Sequence, residues 1–236
     1  MQLSGKARPD TQIINSLVEE GFEHIELYLT TDILDNQDDI VEQCKRSDAN
    51  IANVHTPHIN IDSDTTEYYK QTDQIAAALN ATLVVDSNPT STRYTPNIYP
   101  IENVRAPSVG YENDPSVSSF YLQNNHLAKG KPLVLDTAHL HMSEESYIPF
   151  IESIIAQYGV DMIPSVHLDN ATRTNDGTRA INEGTVDIPT IVKCLDAYDY
   201  GGTVVLEVPH AAQGDALKYV QEIVDTCSAN KYENKY

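Results

Sequence analysis

Apolar, β-rich runs in this sequence end repeatedly on a histidine or a carboxylate. His55 and His58 lie at the end of IANVHT and just beyond it, Asp86 ends TLVVDS, and Glu112 closes SVGYEN. Asp136 and His139 sit in LVLDTAH, His167 and Asp169 in SVHLD, and Glu207 in TVVLEV, with Arg173 soon after His167. An ionised carboxylate is costly to bury without a partner. Acids and imidazoles brought to one place would therefore be suited to sharing a divalent cation. Taken singly, each has a plainer role. Glu207 could cap a following helix or pair with Arg173, Asp136 could be a helix N-terminal acid, and His139 or His141 could be a hydrogen-bonded core histidine. His141 reads as a core residue, and His24, His126 and His210 as surface residues. Convergence from several strands is what would set the others apart.

The elements that must position them alternate between strand and helix. Eight β-rich runs occur: QLSG (2–5), HIELYL (24–29), IANVHT (51–56), TLVVDS (82–87), SVGYEN (108–113), LVLDTAH (133–139), SVHLD (165–169) and TVVLEV (203–208). Between most of them lie amphipathic segments. Ala216, Leu217, Val220, Ile223, Val224 and Cys227 share one helical face, as do Ile148, Ile151, Ile154, Ile155 and Tyr158. Gly21 reads as a helix stop before HIELYL. Eight strands alternating with helices predict a single (β/α)8 TIM barrel over residues 1–236, with 230–236 as a disordered tail. The connection 87–106 carries three prolines and little helical period, so the helix between strands four and five is expected to be shortened or missing. Barrels of this kind place their chemistry at the C-terminal ends of the strands, where the residues above fall.

Composition narrows the partners. The chain has 35 Asp and Glu against 15 Lys and Arg, a net charge of -20. Acids such as Asp32, Asp35, Asp38, Asp39, Glu42 and Asp48 form a solvated face that suits high salt, where self-repulsion is screened; an ordinary acidic enzyme is the plainer alternative. No Lys/Arg cluster forms a basic groove, so nucleic acid is disfavoured. No apolar run reaches the roughly 20 residues of a membrane span, and MQLSGKARPD lacks the apolar region of a secretory signal. Cys44, Cys194 and Cys227 fit neither a disulfide framework nor a zinc spacing. A cytoplasmic location is expected.

These runs resemble, in order and position, the xylose isomerase-like TIM barrels, a group that includes sugar (phosphate) isomerases and epimerases and the apurinic endonucleases. SVGYEN is similar to the family strand ending in Glu-Asn, LVLDTAH to its Asp-x-x-His strand, SVHLDNATR with INEGTVDIPTIVKCL to its His strand and following loop, and TVVLEV to its closing strand. The resemblance to the tagatose/psicose-type epimerases implies one divalent ion held by Glu112, Asp136, His167 and Glu207. It also implies that His139 and Arg173 contact substrate, and HTPHIN makes His55 a pocket residue. The apurinic endonucleases need more histidines: Asp86 stands near the place of one, and Asp176-Gly177-Thr178 replaces an Asp-x-His.

Three carboxylates and one imidazole suit a hard ion, Mn2+ or Mg2+ before Co2+ or Zn2+. The function implied is a metal-dependent sugar isomerase or epimerase. Its ion would hold adjacent oxygens of an open-chain sugar as an enediolate develops, while Glu112 and Glu207 move protons on opposite faces of the carbon. A small-molecule sugar is the expected partner, and a homo-oligomer is compatible with the sequence. Alternatives that keep the site are a keto-inositol dehydratase and an apurinic endonuclease-like phosphodiesterase. An alternative of another class is a non-catalytic sugar-binding barrel.

Overall fold

A computed structural model of the chain describes residues 1–57, 66–86, 101–102, 132–143, 147–172 and 179–233. Its strands are β1 (Gln2–Ala7), β2 (His24–Tyr28), β3 (Asn50–His55), β4 (Thr82–Asp86), β5 (Ile101–Glu102), β6 (Leu133–Asp136), β7 (Ser165–Leu168) and β8 (Thr203–Leu206). All pair in parallel in sequence order, and β8 returns to β1, so the sheet closes into a barrel. The helices are α1 (Thr11–Glu19), α2 (Gln37–Lys45), α3 (Thr66–Leu79), α4 (Thr137–Ser143), α5 (Tyr147–Tyr158), α6 (Ile188–Ala197) and α7 (Gln213–Glu233).

Local chemistry sets the helix ends. Asp10 caps α1 by accepting from the N–H groups of Gln12 and Ile13 at 2.8 and 3.0 Å. The same helix stops at Gly21, whose φ of +108° suits a residue without a Cβ. There the Gly21 N–H donates to Val18 and the Phe22 N–H to Leu17, both at 3.0 Å, and Phe22 is driven into the core. Asp187 caps α6 through the Thr190 N–H at 3.1 Å. Ile188, Ile191, Val192 and Leu195 then bury one face of that helix.

The period-two alternation of strands divides the barrel wall into two faces. Outward residues Ile25, Leu27, Val54, Leu83, Leu133, Leu135, Val166, Leu168, Val204 and Leu206 join the apolar layer beneath the helices. The inward face is unusually polar for a barrel normally filled by branched aliphatics. Asn53 on β3 donates across the interior to Ser165 on β7 at 3.2 Å. Ser4, Glu26, His55, Asp136 and His167 are buried in the same space.

Three expectations are corrected. The fifth strand is Ile101–Glu102, paired with β4 and β6, and not SVGYEN at 108–113. It starts directly after Pro100, a permitted place for proline, and two residues are too few to show an alternation. In LVLDTAH the strand ends at Asp136 and α4 begins at Thr137, so His139 lies on a first helical turn. Helix α7 continues through residues 230–233, uninterrupted by Gly or Pro after Gly214. The connection in which a shortened or missing fourth helix is expected lies between β4 and β5, outside the described residues.

Candidate metal centre

Asp136 ends β6, His167 lies in β7, and Glu207 directly follows β8. The strand registers set Asp136 beside His167 and His167 beside Val205, so these side chains share inward parity at the C-terminal mouth. Each offers a ligand atom, and those atoms lie within 4.8 Å of one another.

Each carboxylate divides its two oxygens between two tasks. Asp136 Oδ1 accepts from the His139 N–H at 2.7 Å, which caps α4. Its Oδ2 lies 3.5 Å from His139 Nδ1. The capping role and the ligand role are therefore compatible in one residue. Glu207 Oε1 accepts from Lys6 Nζ at 2.7 Å. Its Oε2 faces His167 Nδ1 at 3.2 Å; both atoms are buried and their alignment is not that of a hydrogen bond. Two carboxylates flanking an imidazole nitrogen are a donor set that fits a hard or borderline divalent cation.

The other ring nitrogen of His167 is held from behind. Nε2 is 3.1 Å from Oε2 of Glu26, on β2 across the barrel. With a cation bound, this carboxylate partner would keep the hydrogen on Nε2 and leave the Nδ1 lone pair facing Glu207 and Asp136. Glu26 is fully buried, accepts from Asn53 Nδ2 at 3.1 Å and has Lys6 Nζ 3.5 Å from its Oε1. Burial alone would raise its pKa, but the charges of His167, Lys6 and His55 together hold it down at about 2.

The remaining expected residues fall in different places. His55 is fully buried, with its ring 5.6 Å from that of His167 and its Nδ1 donating to the Thr56 carbonyl at 2.7 Å. It forms part of the floor below the centre. His139 stays partly exposed at the mouth. Asp169 is buried; its Oδ1 accepts from the Asn170 N–H at 2.6 Å. Burial, with Asp136 and Glu207 nearby, pushes Asp169 up to about 8. His141 bonds Thr185 Oγ1 at 2.8 Å and is a buried histidine, as its sequence context suggests. Glu112, Arg173 and His58 lie outside the described residues. Asp86 ends β4 in register with Glu102.

Lys6, Glu26 and Glu102 escaped the sequence reading. Lys6 lies beyond the QLSG run, in the part of β1 that extends to Ala7. Glu26 sits inside HIELYL, where alternation alone marks it as facing the same way as His24 and Tyr28. Glu102 is followed by Asn103, so the Glu-Asn pair sought in SVGYEN also occurs at the end of the observed strand.

Solved structures of similar shape include a 3-keto-D-glucoside 4-epimerase from E. coli, at 13% identity, TM-score 0.65, covering 94% of this chain and 99% of that one. An L-ribulose 3-epimerase matches at 14% identity and TM-score 0.66, over 100% and 99% of the two chains. The chain shares the fold of the xylose isomerase-like barrels. Endonuclease IV from Thermus thermophilus is similar too, at 13% identity and TM-score 0.65, over 96% and 100%. No family model matches the sequence, and no curated protein matches it.

Proposed function

We propose that the protein is an isomerase or epimerase that moves a proton on a sugar carbon adjacent to a carbonyl. In this reading a divalent cation is held by Asp136, His167 and Glu207, and a fourth carboxylate is sought at Glu112, outside the described residues, or at the end of β5, where the sequence has Glu102. The convergence of the three described donors at the barrel mouth carries the reading. The sugar epimerases among the similar structures give it its substrate class. The strand register supports the fourth position: Glu102 pairs with Val134, two residues before Asp136.

When bound, such an ion supplies Lewis-acid polarisation of the substrate carbonyl and neutralises charge as the proton leaves. The chain supplies the proton acceptors. Glu207 and the acid sought from strand five would stand on either side of β6 and β7, so one could take the proton and the other return one to the opposite face. Return to the same carbon inverts it, and return to the neighbour isomerises the sugar. Glu26 keeps His167 in one tautomer. His139 at the mouth contacts substrate oxygens, while His55 closes the floor; Arg173, expected to do the same as His139, lies outside the described residues.

Metal analysis of the purified protein, followed by a ketose panel in heavy water, tests this. The expected result is about one equivalent of divalent metal, Mn2+ or Mg2+ before Co2+ or Zn2+, and deuterium at the carbon beside the carbonyl. Metal-loaded protein that exchanges no proton on any sugar would overturn the reading. Cleavage of abasic-site DNA by that same protein would replace it with the endonuclease alternative.

A further inference from the structure

Beside Glu207, on the side away from Asp136, a cavity of about 510 Å3 opens between the ends of β8, β1 and β2. That volume falls in the range of small-molecule sites. Its wall carries Lys6 and Arg8 from β1 and the turn after it, and His210 from the short 3-10 turn His210–Ala212 after β8. Tyr28, Ile13 and Val208 add apolar surface. On a chain with 35 acids and 15 Lys and Arg, this cavity gathers two of those fifteen cations and an imidazole on a wall whose one acid is Glu207, with Glu26 behind Lys6 at 3.5 Å and Asp32 close enough to feel the charge of Arg8.

The cationic wall is built rather than incidental. The Lys6 backbone is locked to α7 by Gln213, whose Oε1 accepts from the Lys6 N–H at 2.9 Å and whose Nε2 donates to the Lys6 carbonyl at 2.6 Å. Gln213 is buried, and a Cβ on Gly5 would come within 2.8 Å of its Oε1, so the glycine is needed for this close approach. The Lys6 ammonium lies 5.8 Å from the centre of the Tyr28 ring and is only 11% exposed. His210 is anchored through Nε2 to Ser16 Oγ of α1 at 3.3 Å. Arg8 stands exposed on the outer rim. Glu207 touches Lys6 with Oε1 and faces the metal centre with Oε2, so the cavity and the centre share one wall.

We infer that this cavity receives an anionic group of the substrate, a phosphate or a carboxylate, gripped by Arg8, Lys6 and His210 while the reacting carbons lie at the Asp136–His167–Glu207 centre. The inference rests on the proposed sugar chemistry and deepens it: the substrate is a sugar phosphate or a sugar acid. A charged pair on the substrate's far end adds affinity through charge-assisted hydrogen bonds. It also fixes which carbon reaches the proton acceptors.

The test uses the metal-loaded full chain and three matched ketoses that differ at the terminal carbon: a hydroxymethyl, a phosphate ester and a carboxylate. The expected result is that one anionic ketose exchanges its proton with a kcat/KM at least about tenfold above the neutral one, the size of one charge-assisted hydrogen bond. Which of the two leads distinguishes phosphate from carboxylate. Arg8→Gln should lower that preference about tenfold, mostly through KM. Equal turnover of all three overturns the anionic subsite while leaving the sugar chemistry standing. If no ketose exchanges, calorimetric titration with inorganic phosphate and with acetate still decides the subsite. Binding that weakens in Arg8→Gln supports it, and identical behaviour of the two proteins overturns it.

Discussion

The wall formed by β6, β7 and β8 and the wall formed by β1, β2 and β3 do different work in the same interior. The first presents donors at the strand ends: Asp136, His167 and Glu207, with ligand atoms within 4.8 Å of one another. The second presents Lys6, Glu26, Asn53 and His55, which reach across to hold those donors from behind. An isolated charge as buried as Glu26 would be expensive. It is offset here by the imidazole of His167, the ammonium of Lys6 and the amide of Asn53. The polar barrel interior is thus a support for three side chains, and the apolar outward faces of the same strands supply the stability that pays for it.

The largest effect should come from the donor wall. Glu207→Gln keeps the size of the side chain but removes both the proton acceptor and the Lys6 ion pair. Deuterium exchange on the sugar should fall roughly 10²–10⁴-fold, the usual weight of one general acid or base. Full exchange in this variant would move the proton chemistry away from Glu207. A smaller effect, and a different one, should come from the support wall. Glu26→Gln should weaken metal binding by about 10- to 100-fold, the usual consequence of losing the outer partner of a ligating histidine. Calorimetry of metal binding reads this directly, and the Nε2–H resonance of His167 should shift as its acceptor changes. If affinity and resonance both stay put, the two walls are not coupled and Glu26 is an ordinary buried acid.

The same contrast explains what could be read from the sequence. Asp136, His167 and Glu207 stand where an apolar run gives out, so their polarity is conspicuous against what precedes them. The barrel was legible because strand-helix alternation repeats, and Gly21 marks a helix stop with its own backbone requirement. Glu26 was not legible as a functional group, because it stands within HIELYL and its partner is 141 residues away on β7. Lys6 and Glu207 are separated by 201 residues and become neighbours only when β8 closes on β1. The fifth strand was misplaced because Ile101–Glu102 has no period to detect and lies among prolines. On the proposed reading, that displacement adds Glu102 to Glu112, which lies outside the described residues, as a place to seek the fourth acid.

The smallest expected effect is a slope in acid, and it separates the support wall from the donors without any substrate. In the metal-free protein Glu26 faces His167 from β7, Lys6 from β1, and His55 and Asn53 from β3, with Glu207 reached through Lys6. Its carboxyl is held at about 2 in the folded chain against an ordinary 4.5. Below about pH 4.5 the unfolded chain takes up a proton that the folded chain refuses. The contribution of Glu26 to stability is therefore whole above that pH and drains away as the pH falls toward about 2. Urea midpoints measured in steps through this window, with a chelator present, should drop for the native protein. They should drop less steeply for Glu26→Gln, in which the position no longer titrates. Parallel slopes would mean that Glu26 is not held ionised by its neighbours, and the β1–β3 wall would then be polar packing and not an electrostatic cradle for His167.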